Sequence, residues 1–89
     1  MKHCALLFIL SALFAMTVRS QVSINTDGSQ PNTSAMLDIS STDKGLLIPR
    51  LSYTERIGIA SPANGLLVFD TTNQRFYYYN ATETRWDSL

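Results

Sequence analysis

The sequence predicts a mainly β fold with one short helix, arranged as a small β-meander module behind a cleaved signal peptide. Three observations lead there. The apolar run Cys4–Met16 behind Met1-Lys2-His3 has the length and charge order of a secretory signal, and is too short to span a bilayer comfortably. The segment from Gly65 to Trp86 alternates β-prone runs with turn formers. One helix signal stands out in the rest of the chain, at Ser52-Tyr53-Thr54-Glu55.

Val18-Arg19-Ser20 places modest side chains at the two positions a signal peptidase reads, so cleavage is expected between Ser20 and Gln21. This divides the chain into a signal peptide at 1–20, an extended arm and turn at 21–34, and a β-rich module at 35–89. Cleavage removes the sole thiol, Cys4, and the sole imidazole, His3. Nucleophilic catalysis then lacks its usual base, and transition-metal sites lack their usual ligands. A Ser–Lys pair would rest on Lys44 alone. The seven acidic groups could serve glycosidase chemistry only as a pair held at a fixed separation, which no spacing here imposes. Solvated surface charge is the better reading of them. The chain is therefore expected not to be an enzyme, and no cofactor or metal is implied. Lys44, Arg50, Arg56, Arg75 and Arg85 are interspersed among those carboxylates, which leaves no basic patch for nucleic acid.

Each element can be taken in order. Gln21–Ile24 alternates and suits a short strand or extended arm. Asn25–Asn32 is a turn, with Asp27-Gly28 permitting positive φ. Counted as a calcium loop from Asn25, its twelfth position is Met36 where Glu is needed, so a turn is the better reading. Ala35–Ser40 alternates with Ala35, Leu37 and Ile39 on one face, as a strand does. Ser41–Gly45 is a turn, and Leu46–Leu51 is extended, with Pro49 arguing for a sheet edge. The capping box opens a helix of about two turns that Pro62 stops, with Ile57 and Ala60 spaced to face a core.

Leu66–Asp70, Arg75–Tyr79 and Arg85–Asp87 then form a three-stranded meander. Within it Phe76 and Tyr78 share one face, and Tyr77 and Tyr79 the other. Aromatics on both faces require cover on both, unless one face is a contact surface. Phe76, Tyr77, Tyr78, Tyr79 and Trp86 are the candidate contact residues, with packing inside the sheet and against the helix as the other reading. The contact could be with another protomer or a stacked glycan.

Size adds a constraint. A core below about 70–80 residues rarely supplies more than about 3–5 kcal/mol. With disulfides excluded and metal ligands wanting, a homo-oligomer or a larger surface assembly is the remaining route to stability. The mature chain carries no membrane span. Asn32-Thr33-Ser34 and Asn80-Ala81-Thr82 fit the eukaryotic N-glycosylation sequon, which would be a coincidence were the chain bacterial. Asp70-Thr71-Thr72 and Asp87-Ser88-Leu89 resemble a short O-glycosylation acceptor motif, with Thr71 and Ser88 as the acceptors.

A wider resemblance runs through Val22–Thr26, Ala35–Ile39, Ser41–Arg50, Thr54-Glu55-Arg56, Ala60–Thr71 and Tyr77–Trp86. In this order the motifs resemble an N-terminal module of secreted, tail-fibre-like proteins of Bacteroidota and their phages. The resemblance implies a structural or adhesive component at the cell surface, trimeric where the homo-oligomer closes. It brings no catalytic residues. Secretion, or retention at the cell surface or in the periplasm, is the expected location. Two other readings stand beside it: a small secreted carbohydrate-active enzyme or its accessory domain, and a truncated remnant of a longer fibre-like protein.

Overall fold

A computed structural model describes residues 20–89, so the expected signal peptide lies outside the described residues save for Ser20. The strands are β1 (Val22–Ile24), β2 (Leu37–Ile39), β3 (Arg50–Leu51), β4 (Leu67–Asp70), β5 (Arg75–Asn80) and β6 (Arg85–Ser88). The single helix among the described residues, α1, spans Tyr53–Ile57. The fold is mainly β with one short helix, as the sequence predicts. No described helix is long and apolar enough to cross a membrane.

The strands form two sheets, which belong to two compact units meeting between Lys44 and Gly45. The sequence reading instead set a boundary between Ser34 and Ala35. In the first unit β1 and β2 pair in parallel, Val22 opposite Leu37 and Ile24 opposite Ile39. Residues 22–24 are thus held in a ladder with the segment after that boundary. Side-chain bonds brace the connection. The Asn32 amide donates to Asp38 Oδ2 at 2.7 Å, and Gln21 Nε2 donates to the carbonyls of Thr33 and Ala35, each at 3.1 Å. The Asn25–Ser29 segment is a turn in which Gly28, at φ 74°, donates its amide to Asn25 Oδ1.

In the second unit the sheet order is β3-β4-β5-β6. β3 pairs in parallel with β4 at the edge, and β4, β5 and β6 run antiparallel as the expected meander. Pro49 and the two-residue length of β3 blunt that edge. Leu46 and Leu47, expected within an extended apolar stretch, lie before the strand and are exposed.

Both hairpin loops use one device. The Asn73 amide donates to Asp70 Oδ1 at 2.8 Å, and the Glu83 amide to Asn80 Oδ1 at 3.1 Å. Each loop then closes through a residue of positive φ, Gln74 at 56° and Thr84 at 54°. At the start of β4, Leu66 donates its amide to the Ala63 carbonyl, and Gly65 (φ 83°) donates to the Tyr79 carbonyl. This is a turn running into a glycine bulge, and it sets the register of β4 on β5.

The helix begins as its capping box requires. Glu55 donates its amide to Ser52 Oγ at 3.2 Å, while Ser52 donates its own to Glu55 Oε1 at 2.8 Å. Its inward residue differs from expectation. Ile57 and Ala60 are exposed, and Arg56 is the buried one. The helix stops at Gly58, so only one turn meets the sheet, and the residue aimed inward is the one that can bond to it.

Candidate functional site

Strand alternation sorts the meander's side chains into two faces. Val68, Asp70, Tyr77, Tyr79 and Trp86 share the face that meets α1; Leu67, Phe69, Phe76 and Tyr78 share the opposite one. The five aromatics singled out from the sequence are therefore not one surface. Tyr77 and Trp86 lie against a buried ion pair, Tyr79 packs on Trp86 on the same face, and the other two lie on the face away from the helix.

On the helix face, Arg56 Nε donates to Asp70 Oδ2 at 2.8 Å, both side chains being withdrawn from solvent. The guanidinium carbon lies 3.8 Å from the Tyr77 ring centroid, 5.4 Å from Tyr53 and 5.6 Å from Trp86, within reach of attraction to each ring face. Tyr79 packs edge-on against Trp86, with centroids 5.4 Å apart. Burial, the largest single influence on Asp70, pushes its carboxyl up. The Asn73 amide, the bond from Arg56 and the Arg56 charge outweigh it together, and the group is held below its ordinary value of 3.8. Asp70 is thus a buried structural anion, where the sequence reading made the carboxylates solvated charge. The signal that could have found it is local: an Asp ending a strand, with a turn residue three positions on whose amide it can accept. Nothing local marks Arg56 as its partner, because the pairing spans helix and sheet.

The opposite face has a different character. Phe69 and Phe76 pair edge-on, with centroids 5.0 Å apart. The Leu89 amide donates to the Phe76 carbonyl at 3.0 Å, which continues the β5–β6 register and sets Leu89 beside Phe76. Phe69, Phe76 and Leu89 form one row across the sheet; Leu67, Tyr78 and Asp87 form the next. Phe76 is 45% exposed, Leu67 40% and Leu89 78%. Beyond them Asp87 accepts from Asn80 Nδ2 at 3.1 Å and from Arg85 Nε at 2.8 Å. These bonds, that from Asn80 foremost, hold the Asp87 carboxyl below its ordinary value.

The remaining expected site residues are scattered. Thr71 and Ser88 are exposed, and Thr71 Oγ1 donates to the Leu51 carbonyl at 3.3 Å. Ser20 is exposed, and Gln21 is half-buried in the first unit. A recess lined by Gln21, Gln30, Pro31 and Thr33, none of them acidic, lies in that unit. Among the described residues no three His, Cys, Asp or Glu side chains gather as metal ligands would.

Apolar cover is scarce throughout. Among the described residues Val68 (3% exposed) is the one buried hydrophobic side chain, against thirteen large apolar side chains left exposed. In the first unit these include Val22, Ile24, Leu37 and Ile39, the whole apolar face of the β1–β2 ladder. A two-stranded parallel ladder has little stability alone, and parallel strands ordinarily have both faces covered. The chain resembles part of a larger core.

No curated protein and no solved structure matches the chain. A family model does, over residues 23–89, and its description is "phage tail like trimerisation region". With that match running from β1 to the last residue, the chain belongs to the family of phage tail-like trimerisation regions.

Proposed function

We propose that this chain is an exported structural module that binds copies of itself into a trimer, and so serves a fibre-like or adhesive assembly at the cell surface. One observation carries the reading: among the described residues, a single buried apolar side chain stands beside thirteen large exposed ones. An apolar side chain contributes about 1.5–3 kcal/mol when fully buried, so the single chain leaves most of its hydrophobic stabilisation unrealised. Association with identical copies recovers it without disulfide or metal, and membership of a family of trimerisation regions supports three as their number.

Export fits the same picture. Cleavage after Ser20 would remove Cys4 and His3 and leave a chain suited to contact. The mature N-terminus would begin at Gln21, one residue before β1. An enzymatic role draws no support from the buried carboxylate: Asp70 is enclosed by Arg56 and the aromatics, where no substrate reaches it.

Light scattering coupled to gel filtration on the secreted product tests the proposal. A mass three times that of one chain is expected, and N-terminal sequencing should read Gln21 first. A folded monomer across the micromolar range would refute the trimer, and an intact Met1 would refute export.

A further inference from the structure

We infer that the trimer contact runs through one face of the second sheet, that of Leu67, Phe69, Phe76, Tyr78 and Leu89, with the same face of another copy as its occupant. The inference rests on the proposed self-association and specifies where it happens.

Two faces of this sheet are available, and they are not equivalent. On the helix face α1 packs over β3 and β4, and the buried polar atoms are satisfied, with Arg56 and Asp70 bonded to each other and the guanidinium set against Tyr53, Tyr77 and Trp86. Its ion pair is already satisfied and needs no partner. On the other face no element of the second unit packs over the row Phe69–Phe76–Leu89, and Phe76 and Leu89 remain exposed although they sit on a regular ladder.

The polar residues of that face favour burial against a copy. Asp87 is bonded to both Asn80 and Arg85, so the charges beside Tyr78 enter an interface already paired. An unpaired charge there would oppose association. Apolar rows at one end and a neutralised polar row at the other give the face the core-and-rim composition of a protein contact. Stacking a glycan would use the faces of Tyr and Trp, and two of the three Tyr on β5 and the sole Trp are turned to the helix side.

The test uses the full mature chain. Leu67→Arg and Phe76→Arg, singly and together, should lower the mass measured by light scattering threefold to that of one chain. Ile57→Arg, at an equally exposed apolar position on α1, should leave the trimer intact. Because a charged residue on a strand can also unfold the sheet, hydroxyl-radical footprinting of the unaltered chain supplies a second reading. Phe76 and Tyr78 should be protected in the assembled chain and oxidised faster on dilution to monomer. A parent trimer in which Phe76 reacts as fast as exposed Tyr53 would overturn the inference. So would folded arginine variants that remain trimeric, including any that lose glycan or cell binding instead. A parent chain that is monomeric refutes the proposed function itself, so the two failures are distinguishable.

Discussion

At position 56 an arginine occupies the place where a short helix would ordinarily press an aliphatic side chain on its sheet. Its charge is tolerated because Asp70 lies 2.8 Å away and Tyr77 covers the guanidinium plane. Removing one partner leaves the other buried and unpaired, which costs more than the pair contributes. Arg56→Ala is therefore expected to lower the melting temperature more than Arg56→Met, which keeps the aliphatic stem and the packing. Thermal melts by circular dichroism would rank the two. The pair also gives the fold an acid limit. Because the folded-state value of Asp70 is depressed, its stabilisation is present above about pH 3.8 and lost as pH falls through the lowered value. Melts recorded from pH 5 downward should show that loss, and Asp70→Asn should flatten the slope. An unchanged slope would remove Asp70 from the account. Gly65 supplies a separate test at this scale. A Cβ there meets nothing within 4 Å, but φ is 83°. Gly65→Ala should cost about 1–2 kcal/mol through the backbone alone, readable in chemical denaturation.

Among the elements, the helix shows most clearly what sequence can and cannot convey. Ser52 and Glu55 are three residues apart in one segment, and both bonds of the capping box form as local spacing requires. Ser52→Ala should cost about 0.5–2 kcal/mol, measured as a shift in denaturation midpoint. The inward side chain of the same helix was not legible. Periodicity points to Ile57 and Ala60, but a single turn ending at Gly58 gives periodicity too little length to act. The meander was legible strand by strand, because its alternation and loops are local. The loop chemistry added a detail hidden in unlike letters: Asp70 and Asn80 perform one task, accepting the amide three residues on. Thr71 and Thr72 belong to the same loop architecture. Thr72 Oγ1 accepts the Tyr53 amide at 3.0 Å, which ties loop to helix. The aromatics could be assigned to two faces from their parity, but not to their neighbours. Which face α1 covers depends on how the chain crosses from β3 to β4, and no local pattern records that.

For the whole molecule, the central question is where its hydrophobic stabilisation comes from. A single Cys cannot close an intrachain disulfide, no metal-ligand cluster gathers among the described residues, and the exposed apolar faces show the shortfall directly. If identical copies supply the missing cover, folding and association are linked, and stability depends on protein concentration. The most direct test is the thermal unfolding midpoint of the mature chain, followed by circular dichroism over a hundredfold range of concentration. A midpoint that climbs steadily with concentration, with no cooperative melt at the dilute end, is the expected result. A sharp transition at one fixed temperature throughout that range would mean that the lone chain folds by itself, in contradiction to the account.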